Sequence, residues 1–304
     1  MTKKRFVYSA KYCFHLENHV FRTLKYSELY EKLITNNIIS LEEVSEPQIY
    51  PEINQDLAIV HSSEYLDDLL NLRNTNRTIY SELPLNKEIV ERFILATSGT
   101  ILACKLALDN QYAINLSGGF HHAFPDHAEG FCYINDVAVT CAKLINERLV
   151  SKILIVDLDL HQGNGTAVAF KNDSRVFTFS MHQDSCYPKK EMSDCDIGLA
   201  DFTDDITYLT ILKSALDKLF IKEKPEFIFY LAGADPYYKD QLGSLKLTFD
   251  GLMKRDNLVI EKCLLNNIPL AIVVAGGYAE NPNDTVQIHY NTCLVLKECE
   301  RKYL

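Results

Sequence analysis

The sequence has few of the features that mark secreted, membrane-bound or nucleic-acid-binding proteins. Its nine cysteines form no CxxC pair, which argues against a zinc ribbon or a secreted disulfide framework and favours a reducing compartment. No stretch approaches the roughly 18 unbroken apolar residues of a membrane span, and the basic N-terminus lacks the apolar segment of a signal peptide. We therefore expect a soluble protein in the cytoplasm, or in the nucleus if the source is eukaryotic.

The sequence also has fewer basic than acidic residues. The 31 lysines and arginines are outnumbered by 41 acidic residues, which gives a formal net charge of −10. The resulting field repels polyanions, so direct binding of nucleic acid is not expected, whereas a basic peptide or a polyamine would suit it. Most acidic proteins of this size carry their charge only for solubility. The charge alone therefore does not identify a partner.

The sequence does contain ample material for a core, with 47% hydrophobic and 24% charged residues among 304. Short β-branched runs alternate with longer stretches of helical period, without a repeat or linker. This pattern predicts one domain over residues 1–304, an α/β fold of three layers, α/β/α, around a mostly parallel sheet. Strands are predicted at Arg5–Tyr8, Leu57–Val60, Ala113–Leu116, Ile153–Leu158, Val176–Ser180, Phe227–Leu231 and Leu270–Ala275. The longest helices are predicted at Tyr26–Thr35, Lys87–Leu108, Asn135–Glu147, Tyr208–Lys222, Phe249–Leu265 and Thr285–Lys302.

Four polar loops that contain glycine follow predicted strands. Open parallel sheets place their ligand sites just beyond the carboxyl ends of the strands. We therefore expect these loops to form one site at one edge of the sheet. They read SGGFHHAFPDHAEGFCY, DLDLHQGNG, AGADPYYKDQLG and AGGYAENP.

A metal site is predicted from two of these loops. Asp157, Asp159 and His161 are spaced by two, so their side chains share a side if the strand geometry persists. Such a short pattern recurs by chance, but Asp235 stands at the end of another apolar strand and completes a set with Asp159 and His161. Two carboxylates and one imidazole leave a fourth position for water, as in a catalytic site. Zinc is expected, and iron(II) or cobalt(II) could use the same ligands.

The two remaining loops offer proton-transfer groups. His121 and His122 follow a Gly-Gly turn and titrate near neutral pH, as a hydrolase needs to activate water and to protonate an amine. A lone histidine is usually structural, but an adjacent pair beside a metal cluster favours catalysis. Tyr278 follows Gly276 and Gly277, whose flexibility would let its hydroxyl stabilise an oxyanion. The alternative for Tyr278 is a packing role.

Taken together and in this order, SGGFHH, EGFCYINDVAV, DLDLHQGNGT, AGADP and AGGY resemble the zinc-dependent histone deacetylase family over most of the chain. The segments HQGNG, the YP of CYPKKE and DQLGSLKLTFDGLMKRD are most similar to the class IV branch. The resemblance implies an arginase/deacetylase-like fold. It also implies that the enzyme hydrolyses the amide of N-epsilon-acyl-lysine, with an acetyl or longer acyl group, in protein or peptide substrates.

The resemblance also assigns roles to residues. Asp159, His161 and Asp235 would bind the metal and Tyr278 the substrate carbonyl, while His122 would be the main general base and acid. His121 would act electrostatically and Asp157 would support it by a hydrogen bond. The predicted substrate-binding residues are Gly130, Phe131 and Tyr187 on the tunnel wall, Leu242 near its rim, and Gly276. A potassium ion is implied close to the metal, at a loop with Asp157, Asp159, His161 and Ser180.

Two positions depart from the common family pattern. Asn164 stands where many members place an aspartate behind the second histidine, and a neutral amide raises the basicity of that imidazole less than a carboxylate does. Class IV proteins resemble this chain at that position, so we interpret Asn164 as a variant that retains a catalytic role. Tyr187 replaces the usual phenylalanine of the tunnel wall and adds a polar edge.

Three alternative functions fit parts of this pattern. An acetylpolyamine amidohydrolase of the same fold would suit the acidic charge. A non-catalytic module could retain the acyl-lysine pocket, although every catalytic position is present. A ureohydrolase has a related fold, but its two-metal site needs a DxHxD run that DLDLHQGNG lacks.

Overall fold

In the computed structural model, which describes residues 2–17 and 19–304, the chain forms an eight-stranded sheet in which every strand pair is parallel. The strands are Phe6–Val7 (β1), Val44–Ser45 (β2), Tyr112–Asn115 (β3), Ile153–Asp157 (β4), Val176–Gln183 (β5), Cys195–Leu199 (β6), Phe227–Leu231 (β7) and Leu270–Val273 (β8). Their spatial order is β2-β1-β3-β8-β7-β4-β5-β6. The predicted parallel α/β fold is confirmed.

The helices flank this sheet and supply the connections between its strands. They are Lys25–Thr35 (α1), Ile53–Leu57 (α2), Ser63–Leu70 (α3), Lys87–Asn110 (α4), Asp136–Asn146 (α5), Asn164–Phe170 (α6), Asp205–Glu223 (α7), Phe249–Leu265 (α8) and Pro282–Tyr303 (α9). Six of them begin after a residue whose side chain accepts from a backbone N–H of the first turn: Ser62, Asn86, Asn135, Asp204, Thr248 and Asn281. Within the described ranges, no helix is long and apolar enough to cross a bilayer.

The central strands are apolar on both faces because helices cover both sides of the sheet. Strand β4 illustrates this, since Leu154 and Val156 belong to one core cluster while Ile153 and Ile155 belong to the other. Successive side chains of a strand point to opposite faces, so a strand between two helical layers reads as a continuous hydrophobic run. The apolar runs that predict β4, β7 and β8 have this origin.

One strand prediction is wrong and several short elements were not predicted. The segment Leu57–Val60 lies at the end of α2 and in the turn after it, where the amides of Ile59 and Val60 bond carbonyls only three residues back. Its apolar residues therefore satisfy their backbone locally. The edge strand β6 was missed because only one of its five residues is buried, and β2 and α6 are too short to show a period.

Candidate active site

The four loops singled out from the sequence meet at one edge of the sheet. They follow β3, β4, β7 and β8, and these four strands are consecutive neighbours in the order β3-β8-β7-β4. Since the strands are parallel, all their carboxyl ends face the same edge. The loops therefore converge although up to 160 residues separate them along the chain, as counted from Leu116 to Gly276.

Asp159, His161 and Asp235 lie together as the predicted metal ligands. Nδ1 of His161 is 3.3 Å from Oδ1 of Asp159 and 3.2 Å from Oδ2 of Asp235, and all three residues are buried. A tetrahedral ion with bonds of about 2.0–2.2 Å keeps its ligand atoms roughly 3.3–3.6 Å apart. The spacing of these donor atoms thus fits zinc or an ion of similar size.

The electrostatics of the three residues also fit a cation. Burial and the neighbouring Asp159 carboxylate raise the pKa of Asp235 to about 6. Burial opposes ionisation of Asp159 as well, but the charge of His121 and the hydrogen bond from His161 hold the pKa of Asp159 well below its usual range. Two buried carboxylates this close repel one another. A divalent ion between them would remove that repulsion.

Backbone amides hold the ligand carboxylates in place. The N–H of Leu160 donates to Oδ1 of Asp235 over 2.9 Å, and the N–H of Gly276 donates to Oδ2 of Asp159 over 2.9 Å. Gly276 must be glycine, because a Cβ at that position would overlap the oxygens of Asp235 and Asp159. Its role is to let the loop after β8 approach the ligands closely.

A fully buried arginine behind the ligands was not found from the sequence. Arg255 on α8 donates from Nη1 to the carbonyls of Leu158 (3.3 Å) and Gly233 (2.5 Å), which belong to the two loops that carry the metal ligands. Asp256 balances its charge at 2.8 Å. Only the three-dimensional packing reveals this role, because in the sequence Arg255 is one of three consecutive charged residues, KRD, on an amphipathic helix.

The tandem histidines are each oriented by a side chain. Nδ1 of His121 lies 2.7 Å from Oδ2 of Asp157, Nδ1 of His122 lies 2.8 Å from Oδ1 of Asn164, and the two Nε2 atoms are 3.2 Å apart. Burial would lower the pKa of His121, but Asp157 and Asp159 together raise it to about 9. Burial and the charges of His121 and His161 lower the pKa of His122 well below its usual range. The pair therefore contains one imidazolium and one neutral imidazole.

Another buried histidine, His61, anchors the loop that carries this pair. Nδ1 of His61 contacts the carbonyl of Phe124 at 3.0 Å, and its Nε2 accepts from the N–H of Asn135 at 3.1 Å. The side-chain amide of Asn135 in turn donates to the carbonyls of His121 and Ala123. His61 was not a predicted site residue, because a lone histidine between two short helices gives no signal.

Replacing His61 with glutamine is expected to flatten the acid dependence of stability. Burial lowers the pKa of His61 to about 4, against about 6.5 in an unfolded chain. The stabilisation from neutral His61 is therefore complete above pH 6.5 and is lost as the pH falls towards 4, a change of about 3 kcal/mol. Glutamine can donate to Phe124 and accept from Asn135 without titrating. Urea unfolding of both proteins at pH 7 and pH 5 should show that the free energy of unfolding falls less in the variant than in the wild type. Equal falls would contradict the role of His61 in the acid dependence of stability.

The predicted tunnel residues line one cavity of about 180 Å³ that reaches the histidines and the metal ligands. Its walls comprise Gly130, Phe131, Tyr187, Leu242, Tyr278, His122 and His161, together with Glu82, which sequence reasoning missed. Gly130 and Phe131 both have positive φ angles, 53° and 62°. The Phe131 conformation is strained for a bulky residue and is held by its N–H bond to the carbonyl of Ser81.

A smaller cavity of about 30 Å³, here called the inner cavity, adjoins this tunnel and shares part of its lining. Its lining includes Asp159 and His161, together with Gly276, Tyr278, Phe21, Lys25 and Tyr26. Tyr278 lines both cavities. Burial and the nearby carboxylates raise its pKa well above the ordinary value, so its hydroxyl remains a proton donor.

Comparison with known proteins agrees with this geometry. The family model described as the histone deacetylase domain matches residues 19–293. This chain belongs to the histone deacetylase family. Histone deacetylase 2 of Arabidopsis thaliana is 30% identical to it over 297 residues, which cover 92% of this chain and 76% of that protein. An uncharacterized protein of Picosynechococcus sp. is 41% identical over 275 residues, 90% of this chain and 91% of the relative.

The fold of this histone deacetylase family member is also found among solved structures. The crystal structure of an HDAC homolog in complex with SAHA aligns with a TM-score of 0.84 and 23% identity, over 98% of this chain and 84% of that one. At this identity the match shows the fold. The family resemblance and the deacetylase-like fold predicted from the sequence are confirmed, whereas the class IV branch stays a prediction.

Some of the residues predicted to lie at the potassium site are neighbours in the sheet. Ser180 on β5 pairs in register with Asp157 on β4, the strand that leads to Asp159 and His161. The Ser180 hydroxyl lies 2.9 Å from Nδ1 of His182. A potassium ion at this place in the histone deacetylase fold stays a prediction.

Proposed function

We propose that this histone deacetylase family member is a metal-dependent hydrolase of the amide bond of N-epsilon-acyl-lysine in protein or peptide substrates, and that it acts in the cytoplasm with zinc as its metal. The observation that carries the proposal is the position of the buried Asp159, His161 and Asp235 beside a hydrogen-bonded histidine pair at the inner end of a tunnel. A tunnel of this form suits a long, thin side chain such as lysine.

The chemistry divides between the metal and the side chains. A zinc ion held by Asp159, His161 and Asp235 would polarise the substrate carbonyl and lower the pKa of a water molecule. The attacking water gives its proton to Nε2 of His122, since Nδ1 is engaged with Asn164. Tyr278 donates its hydroxyl hydrogen bond to the carbonyl oxygen as negative charge develops there. His122 then protonates the departing lysine amine.

The contrast between the two histidines supports this assignment. His122 is held neutral by burial and by its charged neighbours, so it is ready to accept a proton. His121 is held as an imidazolium by Asp157 and Asp159, so its charge favours the negative intermediate without proton transfer. Asp157 and Asn164 thus orient a stabilising cation and a general base, respectively.

The inner cavity favours a short acyl group. Its volume of about 30 Å³ is one sixth of the 180 Å³ tunnel, which leaves room for a methyl or similar group. A long hydrocarbon chain would have to displace Phe21, Lys25 and Tyr26, all of which are buried. We expect acetyl-lysine to be hydrolysed faster than long-chain acyl-lysine.

Acetylpolyamine hydrolysis is a second candidate, and one observation favours it. Glu82 lies on the wall of the tunnel cavity and is exposed, in a chain of net charge −10. A carboxylate there would attract a secondary ammonium of a polyamine, although it would equally attract a basic residue that flanks an acyl-lysine. Substrate competition is needed to separate the two.

The test is one activity profile of the zinc-loaded protein. Acetyl-lysine peptides, peptides with longer acyl groups and acetylspermidine would be assayed side by side at equal concentration. We expect the acetyl-lysine peptide to have the highest kcat/KM. A preference for acetylspermidine would replace the proposed substrate, and a fully zinc-loaded protein inert on the whole panel would instead favour a binding module.

A further inference from the structure

The two departures from the family pattern, Asn164 and Tyr187, meet at one carboxylate. Oε1 of Glu129 accepts from Nδ2 of Asn164 at 2.8 Å and from the hydroxyl of Tyr187 at 3.0 Å. Its other oxygen lies 3.5 Å from Nε2 of His127. Glu129 belongs to the EGFCY segment, and its side chain is 23% exposed.

Glu129 is ionised in this setting. Burial opposes its charge, but the hydrogen bonds from His127, Asn164 and Tyr187 outweigh that effect and lower its pKa. Three donors therefore converge on a single carboxylate. A carboxylate that accepts several hydrogen bonds is a fixed acceptor, because rotating it would break those bonds and leave the buried amide of Asn164 unpaired.

The contact with Glu129 decides which way the Asn164 amide points. A primary amide has one accepting and one donating end. Because Nδ2 donates to Glu129, Oδ1 must face His122, and it does so at 2.8 Å from Nδ1. Nδ1 of His122 is then the protonated nitrogen, and Nε2, which lies 3.2 Å from Nε2 of His121, keeps the lone pair that can take a proton. If the amide were reversed, its NH₂ would face Nδ1 and favour the opposite tautomer, which cannot act as the base.

We propose that Glu129 is a positioning residue for deacylation, which acts through Asn164 to hold His122 in its base-competent tautomer and through Tyr187 to fix the tunnel wall beside it. This inference rests on the proposed function. It assigns to the chain a two-residue unit, amide plus carboxylate, where many family members place one aspartate. The negative charge still faces His122, but from one hydrogen bond further away.

The hydrogen bond from Tyr187 to Glu129 connects the tunnel wall to the base. A Cβ on Gly130 would lie 2.6 Å from the Tyr187 hydroxyl and 2.7 Å from the His122 ring, so the three residues are packed closely. The ring centroids of His122 and Tyr187 are 5.3 Å apart. A phenylalanine at position 187 would keep this packing but would release one donor from Glu129.

The closing experiment is a double-mutant cycle at positions 129 and 164. In Glu129→Gln the side chain at 129 can present either an accepting oxygen or a donating NH₂ to Asn164, so the amide at 164 is no longer fixed in one orientation. We expect kcat to fall about tenfold with KM nearly unchanged. In Asn164→Asp two carboxylates would lie within about 3 Å and could not both ionise, so kcat should fall at least as far. In the double variant the carboxylate introduced at position 164 accepts from His122 and from the amide introduced at position 129. We expect the kcat of this double variant to return to within about threefold of the wild-type value.

Such a recovery separates positioning from mere support of the loop. If Glu129 only stabilised its surroundings, the double variant would be no better than the worse single variant, and the losses of kcat would follow the losses of Tm. Tyr187→Phe separates the two parts of the proposal, since it removes one donor from Glu129 without touching Asn164. It should change KM or the acyl-length profile more than kcat.

A second readout is independent of turnover. The ring nitrogen signals of His122 in ¹⁵N NMR spectra, assigned with His122→Asn, should show Nδ1 protonated in the wild type and a mixture of tautomers in Glu129→Gln. Unchanged signals in that variant, or full activity in both single variants, would overturn the inference. If the wild type hydrolyses no acyl-lysine but the tautomer shifts as expected, the proposed function fails while the positioning of His122 by Glu129 stands.

Discussion

Replacing Tyr278 with phenylalanine is expected to lower kcat by on the order of a hundredfold or more. The hydroxyl is proposed to donate to the substrate oxygen only as charge develops on it, and removal of one such donor commonly costs about 3 kcal/mol of transition-state stabilisation. The ring itself packs against Phe131, with centroids 5.9 Å apart, and phenylalanine keeps that contact. The loss should therefore appear in kcat and leave Tm nearly unchanged.

The measurement compares kcat of zinc-loaded wild type and Tyr278→Phe on an acetyl-lysine peptide, with zinc content determined for both. Tyr238→Phe is the matched control, because Tyr238 is 41% exposed and lies outside the cavities at the metal ligands. Near-normal rates in Tyr278→Phe would exclude the oxyanion role. A parallel loss in Tyr238→Phe would show that the effect is not specific to the site.

Replacing Asp235 with asparagine is expected to abolish both zinc retention and turnover while sparing the metal-free protein. Asparagine keeps an oxygen that can accept from the N–H of Leu160, but it removes a negative charge from the ligand set. In the absence of metal this change removes a buried charge beside Asp159, since burial and the Asp159 carboxylate together raise the pKa of Asp235 to about 6. The metal-free variant should thus be at least as stable as the metal-free wild type.

Thermal unfolding with and without zinc tests this expectation. A ligand present at a thousand times its Kd stabilises the native state by about 4 kcal/mol, so zinc should raise Tm of the wild type and leave Asp235→Asn unaffected. Asp250→Asn is the control for loss of one charge at an exposed position. An equal zinc-dependent rise of Tm in Asp235→Asn would remove Asp235 from the ligand set.

The parts of the site that the sequence predicts are those at strand ends. Asp159, His161 and Asp235 follow β4 and β7 directly, and parallel strands in neighbouring positions must bring their carboxyl ends together. Asn164 and Tyr187 were identified by comparison of motifs, and the contact between Asn164 and His122 agrees with that expectation. The sequence pattern and the parallel direction of the strands are sufficient to predict these residues of the site.

The parts that were missed depend on contacts between distant segments. Glu129 reads as an ordinary loop residue until Asn164 and Tyr187 are placed beside it, and Arg255 reads as one face of an amphipathic helix until its guanidinium is seen at Leu158 and Gly233. The wrong strand prediction at Leu57–Val60 has a different cause. A short apolar run has no period by which a strand can be told from the end of a helix.

The position of β8 has a consequence for how the protein is made. Strand β8 is the last strand in the sequence, but in the sheet it lies between β3 and β7. It therefore joins the β2-β1-β3 group to the β7-β4-β5-β6 group. Until about residue 270 leaves the ribosome, β3 and β7 both expose unpaired edges, which are templates for aggregation. The histidine pair follows β3 and the metal ligands follow β4 and β7. Because β4 and β7 are neighbours, the metal ligands can meet before β8 is made. The histidine base should therefore join the metal ligands in one late step, when β8 inserts.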